Sequence, residues 1–174
     1  MASVWLINGI PGVGKTTTAR SLAARFQRAA HIEGDEIQGL IVSGAVNPGS
    51  QPEDEENRQI HLNVKNQCLL ARSFTEAGFD TVVDYVVTSR DRLAEYKAHL
   101  EGIDLRLVTL SPGKHVALER DAKRPEKTVA HFWTHLEGAM IDQLTGIGLW
   151  IDNSNTSVEE VINSILRNES TAAV

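Results

Sequence analysis

Eight residues near the start of the chain, Gly9-Ile10-Pro11-Gly12-Val13-Gly14-Lys15-Thr16, have the types and spacing to hold a triphosphate. They fit the pattern G-x-x-x-x-G-K-S/T. Glycines let backbone N–H groups turn inward and approach an anion closely. A helix starting behind the loop adds the positive end of its dipole. Pro11 and Val13 fill the variable positions of the loop. Lys15 would reach the β- and γ-phosphates as a point charge, and the Thr16 hydroxyl would coordinate Mg²⁺. Thr17 and Thr18 extend the first turn, with a hydroxyl available to the α-phosphate. The expected ligand is a nucleoside triphosphate with its Mg²⁺, ATP in the first instance.

Other residues have types suited to moving a bound phosphate. Phosphoryl transfer to a hydroxyl needs a carboxylate that orients the hydroxyl and accepts its proton. Asp35, in Glu33-Gly34-Asp35, is the first candidate. Its bland alternative is a helix N-cap. Glu33 is a candidate to hold a Mg²⁺-bound water. Asp84 interrupts the apolar run Val82 to Val87, where a carboxylate is costly unless it is paired or lies at a wet strand end. It would bind substrate or the metal, or else pair with a nearby Lys or Arg. Arg120 and Arg124 lie at i and i+4 and share a helical face. They would close over the transferring phosphoryl group and exclude water, or form a solvated face with the acids around them. Arg58 and His61 are candidates to line a substrate pocket. His131 and His135 have a spacing that can hold zinc, but no third ligand stands near them and packing or surface roles are preferred.

These residues need a scaffold, and the alternation of apolar strands with helical segments predicts an α/β sandwich around a parallel sheet. Strands are expected at 4–8, 29–33, 81–87, 105–110 and 148–152. Helices are expected at 16–28, 35–42, 53–77, 89–100, 112–123, 128–144 and from the capping boxes Thr156-x-x-Glu159 and Ser157-x-x-Glu160 to about 168. The tail from Glu169 to Val174 is expected to fray. In open sheets of this kind ligands sit beyond the carboxyl ends of the strands. The loop at 9–16 and residues 33–36, 84–88, 111 and 152–155 therefore converge as site candidates.

With 174 residues, 41% hydrophobic and 23% charged, the chain reads as one ordinary globular domain. A net charge of -6 argues against nonspecific nucleic-acid binding. No signal peptide or membrane-length apolar run is seen, and the lone Cys68 reads as core. A cytoplasmic protein, monomeric or homodimeric and with no membrane partner, is the expectation.

Taken together, the loop at 9–16, Glu33-Gly34-Asp35 with Ile37, Val82-Val83-Asp84, Arg120 with Arg124, and Asp152-Asn153-Ser154 resemble the small P-loop kinases of the nucleoside-monophosphate kinase-like fold. The similarity is greatest to the branch containing shikimate kinase, gluconate kinase and chloramphenicol phosphotransferase. It covers nearly the whole chain and implies the strand order 2-3-1-4-5. It places Asp35 at the acid that contacts the substrate hydroxyl, and Glu33 where that branch has an Asp. Arg120 or Arg124 falls at the lid arginine, in a lid-like segment of about 118–130, and Asn153 falls in the adenine-side loop. A substrate segment would run over about 35–60. Shikimate kinase has a glycine pair after strand three; Asp84-Tyr85-Val86 stands there instead, which argues against shikimate as the acceptor. The implied activity is transfer of the ATP γ-phosphate to a hydroxyl of a small molecule. A nucleoside or nucleotide kinase is the alternative within that class. A nucleotide-binding regulatory ATPase or switch is the alternative outside it.

Overall fold

In a computed structural model, residues 2–123 and 135–174 are described. Arg124, His131 and Trp133 lie outside the described residues, as does most of the lid-like segment and the first part of the helix expected at 128–144.

The apolar run that precedes the loop forms β1, Val4–Asn8, with all five residues buried. The other strands are β2 (Ala29–Glu33), β3 (Asp80–Asp84), β4 (Leu105–Leu110) and β5 (Leu149–Ile151). They make a parallel sheet in the order β2-β3-β1-β4-β5. A parallel sheet is covered on both faces, which is why β1 and β4 are largely apolar rather than alternating. The helices are α1 (Lys15–Ala23), α2 (Gly34–Gly39), α3 (Glu53–Glu76), α4 (Arg90–His99), α5 (Lys114–Ala122), α6 (His135–Leu144), α7 (Val158–Arg167) and α8 (Glu169–Ala172). One layer contains α1 against α7; another contains α3 against α4.

Capping chemistry sets several boundaries. The Ser89 hydroxyl accepts from the Arg92 amide at 3.2 Å and starts α4. Of the two overlapping capping boxes, Ser157 with Glu160 is the one that forms. Three expectations need correction. The first helix stops at Ala23 rather than running to 28. The third strand ends at Asp84, not Val87, because the chain turns off the sheet there: the Val87 amide donates 2.8 Å to the Asn8 side chain instead of a strand partner. The tail does not fray. Ala172 is buried, Ala173 bridges Arg106, and the Val174 amide donates to the Leu105 carbonyl, so β4 holds the last residues in place.

A buried polar ladder runs along α3. Gln59, Asn63 and Gln67 recur every four residues and are all buried, a spacing that stacks them on one helical face. Tyr96 on α4 donates 2.5 Å to Gln67 Oε1, and Gln67 Nε2 donates 2.7 Å to Asn63 Oδ1. Asn63 Nδ2 in turn donates 3.0 Å to the Gly34 carbonyl. Gln59 accepts from the Val46 amide at 2.8 Å and donates to the Gly44 carbonyl at 2.8 Å. The ladder thus ties the core to α2 and to the segment after it. Tyr96→Phe leaves Gln67 Oε1 buried without its donor, at a cost of about 1–3 kcal/mol. A denaturant titration should show that loss, and a change under about 0.5 kcal/mol would mean the ladder does not bear on stability.

Candidate active site

The sheet order reverses at β1, which has β3 on one side and β4 on the other. A ligand crevice belongs there, beyond the carboxyl ends of the strands. A cleft of 940 Å³ occupies that place, lined by the phosphate loop, the ends of β2 and β3, α2 and the start of α3.

On the loop side, Gly12 has φ 88° and Gly14 has φ 96°, in the left-handed region that glycine adopts without strain. Lys15 folds over the loop, its Nζ donating 3.3 Å to the Ile10 carbonyl. Thr16 Oγ1 donates 3.2 Å to Asp84 Oδ1. Thr17 is exposed and Thr18 buried. A hydroxyl and a carboxylate this close, beside the lysine, can share one divalent cation. Among the described residues no group of three or more His, Cys, Asp or Glu could hold a metal by itself. The Thr16–Asp84 donor set fits Mg²⁺, which keeps several waters and draws further oxygens from phosphates.

Asp84 is 4% exposed and has a second partner, His31, whose Nε2 lies 2.6 Å from Oδ2. A carboxylate only accepts, so Nε2 carries the proton. The partner of Asp84 is thus His31 rather than the Lys or Arg expected as the alternative, and the Thr16 hydroxyl takes the other oxygen. Parallel pairing sets Glu33 beside Asp84 in register. Burial raises the Glu33 pKa, and the nearby charges of Asp84 and Glu36 raise it further, while Arg20, 3.1 Å away, offsets part of this. Carboxylates crowded in this way favour a cation between them.

Asp35 is exposed on α2 and lines the same cleft as Lys15, Thr16 and Asp84. It is not an N-cap, since α2 begins one residue earlier, after Glu33. Gly34 between them is required by packing. A Cβ there would lie 2.2 Å from Tyr85 Cδ2 and 2.7 Å from Gln67 Nε2. Tyr85 lines the cleft, and its phenol is pushed up to about 12, first by burial and then by the charge of Asp35.

The arginines depart from expectation. Arg120 does not line the cleft. Its guanidinium donates to the carbonyls of Val13 (3.4 Å), Asn153 (2.7 Å) and Ser154 (3.1 Å), which straps the phosphate loop to the loop after β5. Backbone carbonyls inside the fold take up its donors, so the side chain is held short of the cleft. Arg58 also fails to enter the cleft. It is 79% exposed, paired with Glu55, and lines a separate shallow depression, because the helical turn that points Asn57 and Ile60 inward points Arg58 outward. Asn153 is buried and donates 2.9 Å to the Val13 carbonyl. Its Oδ1 is buried with no hydrogen-bond partner among the described residues. That orphaned acceptor, next to the loop, fits a nucleobase amine.

Sequence reasoning passed over His31 and Arg92, and held Tyr85 only as a member of the 84–88 run. His31 and Glu33 alternate onto one face of β2, and this spacing was the available signal. Arg92 gave none, since it reaches the cleft only through the packing of α4 on α3.

A parallel sheet in this order, with a glycine-lysine-threonine loop after its first strand, is the fold of the small P-loop kinases. The chain belongs to the family described as AAA domain, which matches residues 4–140. Similar solved structures include a sugar kinase from a Janibacter species, with TM-score 0.71 at 16% identity over 99% of this chain and 96% of that one. The tunicamycin resistance protein of Deinococcus radiodurans has TM-score 0.67 at 22% identity, over 100% of this chain and 99% of that chain. A gluconokinase from Sinorhizobium meliloti has TM-score 0.67 at 16% identity, over 95% and 90%. At these identities the likeness carries the fold. None of the curated proteins matches the chain. Among the described residues no helix is long and apolar enough to cross a membrane.

Proposed function

We propose that the protein is an ATP- and Mg²⁺-dependent phosphotransferase that moves the γ-phosphate to a hydroxyl of a small molecule. The observation that carries this reading is the placement of Asp35 in one cleft with Lys15, Thr16 and Asp84. Lys15 and the loop amides hold the phosphates. Thr16 and Asp84 hold Mg²⁺, with Glu33 acting through a bound water, and His31 orients Asp84. When bound, Mg²⁺ neutralises charge on the phosphate oxygens. Asp35 orients the acceptor hydroxyl and takes its proton, while Arg120 straps the phosphate loop to the loop after β5, where Asn153 borders the base end of the nucleotide. Of the two roles open to Asp84, substrate or metal, its bond to Thr16 favours the metal. The chain works as one domain, with residues 35–60 as its acceptor-binding segment and 118–130 as its lid. Arg124, in the part of that lid outside the described residues, keeps its proposed place over the phosphoryl group. The relatives in fold named as a sugar kinase and a gluconokinase support this class of reaction, and a cytoplasmic ATP pool would supply the donor.

The test is transfer of label from γ-labelled ATP with Mg²⁺ to pools of hydroxylated small molecules, with Lys15→Ala alongside. Label is expected on one pool, and Lys15→Ala is expected to lower both ATP affinity and transfer by roughly tenfold to a thousandfold. Label released only as free phosphate, whatever the pool, would point to an ATPase or switch instead.

A further inference from the structure

The charged side chains that line the cleft are mostly acidic. Among the described residues four carboxylates line the cleft: Glu33, Asp35, Glu56 and Asp84. Its cations among the described residues are Lys15, on the phosphate loop, and Arg92. Arg92 stands on the acceptor side, but Glu95 already engages it. Its Nη1 lies 2.5 Å from Glu95 Oε2 and 3.1 Å from His61 Nδ1, and the side chain is only 17% exposed. The same His61 Nδ1 lies 2.9 Å from Glu95 Oε1 and donates there, so Glu95 joins His61 on α3 to Arg92 on α4 in a clasp. Recognition of a carboxylate or phosphate calls for an arginine fork with its donors open. Here Nη1 is turned to Glu95, and among the described residues the wall beside it includes Gln38, Asn57 and the Tyr85 phenol, with Ile41, Ile60 and Val86 giving apolar contact. An anionic group entering this half would also meet Asp35, and like charges brought together suppress binding.

Resting on the phosphotransferase reading above, we infer that the acceptor is a hydroxylated molecule that carries no anionic group and presents an apolar face to the cleft. This sets the site apart from one built for sugar acids or nucleoside monophosphates. Hydroxyls are hydrogen-bonded by the neutral amides and the phenol, and Asp35 accepts the proton of the hydroxyl that is phosphorylated. The new O–P bond forms as the bond from the γ-phosphorus to the β–γ bridging oxygen breaks, and ADP leaves with that electron pair.

The experiment sorts label from γ-labelled ATP among three pools: uncharged polyols and nucleosides, amine-bearing sugars, and the sugar acids and nucleoside monophosphates that correspond to them. Label on the uncharged or amine-bearing pool, with the matched anionic compounds poorer by roughly tenfold or more, is the expected result. Preference for the anionic pool would overturn the inference and leave the phosphotransferase reading standing. Label in no pool, with free phosphate released, would overturn both. Two variants read the clasp directly. Arg92→Gln should leave KM for the accepted compound within about threefold, whereas an arginine that clamps an anion would raise it more than about tenfold. Glu95→Gln should open the fork and move the preference toward the anionic partner by about tenfold, and no movement in a folded variant would count against the clasp.

Discussion

Asp35→Asn should abolish most phosphate transfer and spare ATP binding. The substitution keeps the shape of the side chain and removes its capacity to take a proton. Loss of a general base typically costs about 10²–10⁴-fold in rate, which corresponds to roughly 3–5 kcal/mol of transition-state stabilisation. Asp35 is exposed and no side-chain cap of α2 depends on it, so the fold should tolerate the change. The nucleotide affinity should stay within about twofold, because Lys15, Thr16 and the loop amides are untouched. Single-turnover transfer and equilibrium ATP titration on the same preparation separate the two effects. Transfer at the parent rate would remove Asp35 from the chemistry. A fall confined to about tenfold would make it an orienting group rather than the base.

The second large effect is expected at Gly12→Ala. Gly12 has φ 88°, and a Cβ there would lie 2.4 Å from the Ala117 carbonyl oxygen and 3.3 Å from Asp121 Cβ. The left-handed backbone costs an L-residue about 1–2 kcal/mol. The clash adds about 1–3 kcal/mol as overpacking, since Ala117 is fully buried on α5 and cannot withdraw cheaply. The less costly response is for the loop to move, and its amides then no longer converge on the phosphates. ATP binding should weaken by about 10²-fold or more while the denaturation midpoint falls. Gly14→Ala is the informative comparison. It has φ 96° but nothing within 4 Å of its Cβ, so it carries the backbone strain without the clash. Equal losses from the two variants would show that the contact with Ala117 is irrelevant.

Much of the site was legible because local chemistry demands it. The phosphate loop is contiguous, its glycines and lysine answer to one ligand, and the buried strand before it and helix after it are written in apolar period and composition. Glu33, Asp35 and Asp84 stood out for a related reason. They follow apolar strands, and strand ends in a parallel sheet share one edge. Their convergence on Lys15 and Thr16 needed only the rule that ligands sit at that edge. The order of the strands came from resemblance rather than from pattern, because parallel neighbours are distant in sequence and leave no local trace.

The tertiary structure decided which long side chains turn inward and which partners they meet on the way. Arginine is equally at home as a lid, a surface ion pair or an internal strap, and spacing along a helix does not choose among them. Packing of α5 against the loop after β5 placed the carbonyls of Asn153 and Ser154 within reach of Arg120, and burial made satisfying them worth more than remaining in solvent. One residue of helical phase sent Arg58 to the surface while Asn57 lined the cleft. The bond from His31 to Asp84 joins neighbouring strands 53 residues apart in sequence, and His61 reaches the Arg92–Glu95 pair of α4 only because α4 lies along α3. By itself the sequence determined the phosphate chemistry and the edge of the sheet where it happens. The fold decided which side chains line the acceptor's half of the cleft, because Asp35, Asn57, Tyr85 and Arg92 come from separate elements that only tertiary packing brings together.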